Sequence, residues 1–237
     1  MTRNDIGKAY NRIAEFRDGD RFNRQNGIEA HRKAMRMEFE GGWALDIGCD
    51  CRRSFFDLLR ESGYEPEGFD VSQGMVRRAK LRHPEIEIAW ADFLVWESEK
   101  LYSLITSWGS IWHLNIEGQI QAIRKASGLL DSGGIFIFTA GAVEDPAEHS
   151  SPCKEQDPFY GALREAKLLE LLSDSDLRLR HFELDQYPEK LLVLIVQKTN
   201  YALLPLVAYF TPSLESFGDA SLAVSISSIA ERALLRA

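Results

Sequence analysis

The sequence predicts an α/β fold: one doubly wound, mostly parallel, seven-stranded sheet that ends in a C-terminal antiparallel hairpin. Three observations predict it. Short apolar runs alternate with helical segments from about residue 43 onward, the pattern of a parallel sheet covered on both faces. Several runs end in Asp or Gly beside a turn, where ligands bind beyond the carboxyl ends of such strands. The last two runs are joined by the short link Asp185-Gln186-Tyr187-Pro188-Glu189, which suits a hairpin rather than a crossover.

The elements follow in order. Residues 1–40 read as an N-terminal helical cap. Ile6, Tyr10 and Ile13 recur at helical spacing with Phe16 extending the face, and a second helix spans about Gly27–Phe39. A core follows over 41–198. Trp43–Gly48 is a buried-strand run, Phe55–Arg60 a helix, and Glu67–Val71 a brief strand. Ser72 is a suitable N-cap for the helix that carries Met75, Val76 and Ala79. Strands follow at Ile86–Trp90 and Leu101–Ser107, then a helix from about Ile116 to Leu130. Asp131-Ser132-Gly133-Gly134 should stop that helix, its glycines supplying the left-handed turn. Ile135–Thr139 is a strand, Leu163–Leu172 a helix, and Leu177–Leu184 and Leu191–Lys198 the closing pair. Residues 199–237 read as a tail, helical or partly disordered. Ile226, Ile229, Ala230, Ala233 and Leu234 would share one helical face, which packs on its own domain or dimerises.

Composition narrows the function. The chain has 237 residues, 45% hydrophobic and 27% charged, enough for one substantial core. It has no run of 18 or more apolar residues and no signal-peptide apolar region, so a cytoplasmic protein without a membrane partner is expected. The net charge of −8 argues against nucleic acid, whose binding needs Lys and Arg against phosphate. The run Arg77, Arg78, Lys80 and Arg82 reads as a solvated helix face. Cys49, Cys51 and Cys153 show neither a redox nor a zinc spacing. No metal is expected, and the chain is taken as a monomer or homodimer.

Three strand ends carry the site residues. Leu45-Asp46-Ile47-Gly48-Cys49 closes the first strand, where a Gly turn admits close backbone approach and the next helix favours an anion. Gly68-Phe69-Asp70-Val71-Ser72 closes the second, and an ionised Asp70 can accept hydrogen bonds from both hydroxyls of a ribose. Ala91-Asp92-Phe93 closes the third, offering an acceptor for an adenine amino group and a ring to pack on it.

In this order, LDIGC, GFDVSQGMVRRAK and ADF, followed by LLDSGGIFIFT, resemble the successive motifs of class I S-adenosylmethionine (SAM) methyltransferases. The resemblance runs from about Tyr10 to Lys198 and implies a Rossmann-like fold. It implies SAM as cofactor, S-adenosylhomocysteine (SAH) as product, and a small-molecule methyl acceptor. Asp46 and Gly48 would lie by the methionine moiety, Asp70 by the ribose, Asp92 and Phe93 by the adenine, with Val71 and Met75 also touching the cofactor. Ser107-Trp108-Gly109-Ser110-Ile111-Trp112-His113-Leu114 follows the fourth strand, where the family faces the transferred methyl group. Trp108 is expected beside the cofactor and Trp112 as a pocket wall. His113 is the leading base, because it titrates near neutrality. Tyr187 would line the acceptor pocket and Tyr10 would cover the cofactor. His31, His83, His149 and His181 form no triad or metal spacing.

The chain departs from the usual D-x-G-x-G-x-G loop. Asp50 replaces the middle glycine and Arg52 the last. Asp50 at ~4 Å from a SAM carboxylate would cost up to about 4 kcal/mol at an effective dielectric near 20, nearly a thousandfold in affinity. Arg52 or Arg53 could offset it. A non-catalytic, methyltransferase-like binding protein is therefore the alternative. A nicotinamide-dependent oxidoreductase is weaker, because G-x-G-x-x-G is missing after the first strand.

Overall fold

A computed structural model describes residues 3–18, 25–37, 41–51, 54–141, 147–150, 159–185 and 191–199. Arg52, Arg53, Tyr187 and the tail from residue 200 lie outside them. In chain order the elements are α1 (Arg3–Asp18), α2 (Ile28–Met35), β1 (Gly42–Ile47), α3 (Ser54–Glu61), β2 (Tyr64–Asp70), α4 (Gln73–Arg82) and β3 (Glu87–Trp90). They continue with β4 (Tyr102–Ser107), a 3-10 turn (Ile111–His113), α5 (Ile116–Leu129), β5 (Leu130–Gly141), β6 (Ala147–Ser150) and β7 (Phe159–Ala162). The last three are α6 (Glu165–Asp174), β8 (Leu177–Asp185) and β9 (Leu191–Lys198).

Seven strands form one sheet in the order β3-β2-β1-β4-β5-β9-β8. The β1, β2, β3, β4 and β5 neighbours pair in parallel, while β9 runs antiparallel between β5 and β8. The expected doubly wound sheet with its antiparallel end is therefore the observed one. Strand order reverses between β1 and β4, the place where such sheets open a ligand crevice.

Period-two alternation splits the core between the two faces. Leu45, Ile105, Phe136, Phe138, Leu192, Leu194 and Val196 pack in one cluster that includes residues of α5 and α6. Ala44, Leu104, Ile135, Ile137, Val193 and Ile195 pack in another with residues of α2 and α3. Both faces are covered here, so residues 135–138 of β5 and residues 192–196 of β9 are apolar without polar alternation.

Element ends differ from the sequence reading in instructive ways. β2 starts at Tyr64 and includes Pro66, because β1 pairs with it over its whole length while β3 joins only from Glu67. The glycine-bearing stretch after α5 belongs to β5: the register slips between the Tyr102 and Leu104 pairings, and Gly133 holds φ +87 there. The small β6–β7 ribbon was not anticipated. On α1, Ile6, Gly7, Ala9 and Ala14 are buried, whereas Ile13 is exposed. Small side chains lie where α1 approaches the sheet closely, as at Gly7, where an added Cβ would sit 2.5 Å from the Val71 carbonyl oxygen.

Candidate active site

A crevice opens at the β1–β4 reversal. Its walls include Gly48 and Asp50 after β1, Asp70 at the end of β2 with Val71 after it, and Asp92, Phe93 and Leu94 after β3. Trp108, Gly109, Ser110, Ile111 and His113 follow β4, and Ile6, Tyr10 and Arg17 come from α1.

Each tip is shaped by its local sequence. Gly48 turns the chain at φ +72, and its N–H and that of Cys49 donate to the Phe69 carbonyl. A Cβ at Gly48 would lie 2.1 Å from Ser110 Oγ, so glycine is required both by φ and by the approach of the β4 loop. At the β2 tip, Asp70 is buried and its carboxylate accepts two backbone N–H groups, Ser72 at 2.7 Å and Asp50 at 3.0 Å. Ser72 caps α4 as expected, its Oγ accepting from the Met75 N–H. At the β3 tip, Asp92 accepts from the Leu94 N–H at 3.0 Å, and Phe93 stacks on Phe69.

Burial pushes the Asp70 carboxyl from 3.8 up to about 7. The Ser72 N–H pulls it down and the Asp50 charge pushes it up, with the Asp50 N–H and Arg17 again pulling down. Cys51 is pushed up to about 12, first by burial and then by the Asp50 charge. Burial likewise raises Cys49. Both thiols stay protonated and inert at neutral pH.

Asp50 is where the structure adds most. It sits at φ 58, the left-handed region in which Asp is better tolerated than most residues. Its carboxylate is buried but not isolated: Arg17 binds it through Nε at 2.7 Å and Nη2 at 2.6 Å. The Cys51 N–H donates to the other oxygen at 2.6 Å. The compensating cation thus comes from α1, whereas Arg52 and Arg53 lie outside the described residues. No local motif points to Arg17, because its partner is 33 positions away.

α1 forms one wall through a series of contacts. Asn11 Oδ1 accepts from Ser72 Oγ at 2.8 Å and from the Gly74 N–H at 2.7 Å. The Tyr10 hydroxyl lies 2.6 Å from His113 Nε2, and Ala14 packs with Cys51 and Met75. On the opposite side, fully buried His31 links α2 to β4. Its Nδ1 donates to the Gly27 carbonyl at 2.7 Å and its Nε2 lies 2.6 Å from Thr106 Oγ1. Its ring, 5.3 Å from that of Trp108, backs this crevice wall.

The structure brings Gly48, Asp70, Val71, Asp92, Phe93, Trp108 and His113 to one crevice. Asp46 is buried one residue short of the lining pair Ile47 and Gly48 and is not on the wall. Met75 is fully buried against Ala14 and Cys51, away from the crevice. Tyr187 lies outside the described residues. No described helix is long and apolar enough to cross a membrane.

Strand order, antiparallel closing pair and a crevice at the tips of β1, β2, β3 and β4 define the class: a Rossmann-like methyltransferase fold. A model of the methyltransferase domain family matches residues 20–206, and the chain belongs to that family. No curated protein matches the chain. Among solved structures it is similar to the CcbJ methyltransferase from Streptomyces caelestis, at 14% identity and TM-score 0.66 over 84% of this chain and 100% of that one. It is also similar to an S-adenosylmethionine-dependent methyltransferase from Clostridium acetobutylicum, at 13% identity and TM-score 0.62 over 81% and 99%. A third is the Burkholderia thailandensis 1,6-didemethyltoxoflavin-N1-methyltransferase, holding 1,6-didemethyltoxoflavin and SAH, at 14% identity and TM-score 0.61 over 84% and 92%. At these identities the likeness is one of fold.

Proposed function

We propose that the crevice binds SAM and that the protein transfers its methyl group to a small-molecule acceptor. The observation that carries this reading is the Asp70 carboxylate, held at the β2 tip by two backbone N–H groups with both oxygens still able to accept more. A ribose with two vicinal hydroxyls suits that acceptor pair. Asp92 and Phe93 offer an acceptor and a ring face for an adenine. Gly48, which cannot carry a Cβ here, lets the methionine portion lie against backbone.

When bound, SAM supplies an activated methyl carbon on a sulfonium. The chain's own task is then to orient the acceptor and keep water out, through proximity rather than strong polarisation. Ile6, Leu94, Ile111, Leu114 and Trp108 make much of the crevice wall apolar, which suits a small organic acceptor. The Arg17–Asp50 pair supports catalysis over the non-catalytic alternative, because the charge that would repel a carboxylate is neutralised before the ligand arrives.

Isothermal titration with SAH tests the reading. We expect one site with Kd in the micromolar range, about −8 kcal/mol. Tritium from methyl-labelled SAM should then move to small acceptors and not to protein or nucleic acid. Absence of heat with both SAM and SAH would refute it.

A further inference from the structure

The Tyr10 hydroxyl stands 2.6 Å from His113 Nε2, joining residues 103 positions apart, and both side chains line the crevice. Holding a ribose, an adenine or a carboxylate does not call for such a pair. His113 is buried while Tyr10 is only half-buried, so the phenol is the more exposed member of the pair. The Arg17 guanidinium, paired with Asp50, lies 5.6 Å from the centre of the Tyr10 ring and packs that ring into the wall. The neighbouring wall residues Ile6, Ile111 and Leu114 are apolar.

From this juxtaposition we infer that Tyr10 and His113 form a proton relay, and that the acceptor is a small phenol or enol methylated on oxygen. The inference rests on the methyl-transfer reading and adds the chemical class of the acceptor. In the resting pair Tyr10 donates its O–H to neutral His113 Nε2. The acceptor hydroxyl donates to Tyr10 Oη. As the acceptor oxygen attacks the methyl carbon, its O–H bond breaks and the proton passes to Tyr10, while the proton of Tyr10 passes to Nε2. The new O–CH3 bond forms and the S–CH3 bond breaks with its electron pair staying on sulfur. The products are the methyl ether, SAH and an imidazolium that later releases its proton to water.

Matched acidity selects the class. A tyrosine phenol titrates near pH ~10, so it exchanges protons most readily with groups of similar acidity. An amine reacts as its free base through its own lone pair and needs no relay. An aliphatic alcohol is a far weaker acid.

Two measurements test the relay. In wild-type protein carrying 15N-histidine, the Nε2 signal of His113 at about pH 8 should be that of an unprotonated, hydrogen-bonded nitrogen. A protonated Nε2 would overturn the relay without any variant being made. Wild type, Tyr10→Phe and His113→Gln are then given methyl-tritiated SAM with simple phenols and the matching aromatic amines and thiols. Label should enter phenols, and both variants should lose about a hundredfold or more in rate at neutral pH. Their rates should recover as pH rises toward the acceptor's own pKa. Label confined to amines or thiols, no label on any phenol, or variant pH profiles that superimpose on wild type would each overturn the relay. Calorimetry with SAH separates the two layers: wild type that binds SAH but fails these tests loses the relay alone, and wild type that does not bind SAH loses both.

Discussion

Two neighbouring strand tips hold buried carboxylates in different ways. Asp70 at the end of β2 is held by backbone N–H groups from Ser72 and Asp50. Asp50 after β1 is held by the guanidinium of Arg17, a side chain from a different helix. The first arrangement uses backbone alone: an Asp two residues before a helix-capping Ser meets the Ser72 N–H locally, and the neighbouring β1 turn supplies the Asp50 N–H. It keeps a raised pKa, because N–H dipoles only partly offset burial. The second is tertiary, and a full opposite charge does the offsetting. Asp70 lines the crevice with its charge uncompensated by a side-chain cation of its own, whereas Asp50 is engaged by Arg17 and fastens α1 to the crevice.

The largest expected effect breaks the second arrangement. Arg17→Ala leaves Asp50 buried without its cation and should cost about 3 kcal/mol of stability, the low end for a broken buried pair because Arg17 is partly exposed. Urea unfolding measures it. Adding Asp50→Gly to that variant should restore most of the loss. A cost below about 1 kcal/mol would place the pair among surface salt bridges and dissolve the contrast.

Asp70→Asn probes the first arrangement. It should weaken SAH binding about ten- to a hundredfold near pH ~8, the worth of hydrogen bonds to a charged acceptor, while near pH ~4, where the folded chain keeps Asp70 protonated, stability moves by less than about 1 kcal/mol. Calorimetry and urea unfolding on the same preparation separate the two roles.

The next effect is a pH dependence. Asp70 titrates near 7 in the fold, up from 3.8. Its ionised form is the better acceptor for hydroxyls, so SAH affinity should rise roughly fivefold from pH ~6 to pH ~8. Stability should move the other way. Between about pH 4 and 7 the folded chain keeps a proton on Asp70 that the unfolded chain has lost. The unfolded state therefore binds fewer protons, and the Asp70 contribution falls as pH rises through that window. Asp70→Asn should flatten both trends.

Asp50→Gly alone is the mildest. Glycine relieves the cost of φ 58, roughly 1 kcal/mol, against the loss of a pair whose cation can turn to water. Its unfolding midpoint should stay close to wild type.

The same contrast explains what was legible in the sequence. The seven main strands could be placed along the chain, because most carry a short apolar run or alternation and several of the parallel ones end at recognisable tips. Asp70, Ser72, Gly48 and Phe93 could be read because neighbouring residues define their geometry. Arg17 and the Tyr10–His113 contact could not, since α1 reaches these tips only after the chain has folded and no periodicity encodes a partner 33 or 103 positions away. Asp46 and Met75 have the spacing of ligand residues but lie off the crevice walls, a matter of side-chain direction that spacing alone does not carry. The β6–β7 ribbon escaped because β6 is a short and largely polar stretch, Ala147-Glu148-His149-Ser150, with no apolar run to mark it.

The central claim is that an adenosyl group occupies the crevice with its ribose on Asp70. A crystal structure of the protein with SAH tests it most directly. The account predicts the two ribose hydroxyls on the Asp70 carboxylate, adenine along Phe93 and Asp92, and Arg17 still paired with Asp50. SAH bound elsewhere, or in the crevice with Asp70 untouched, would contradict it.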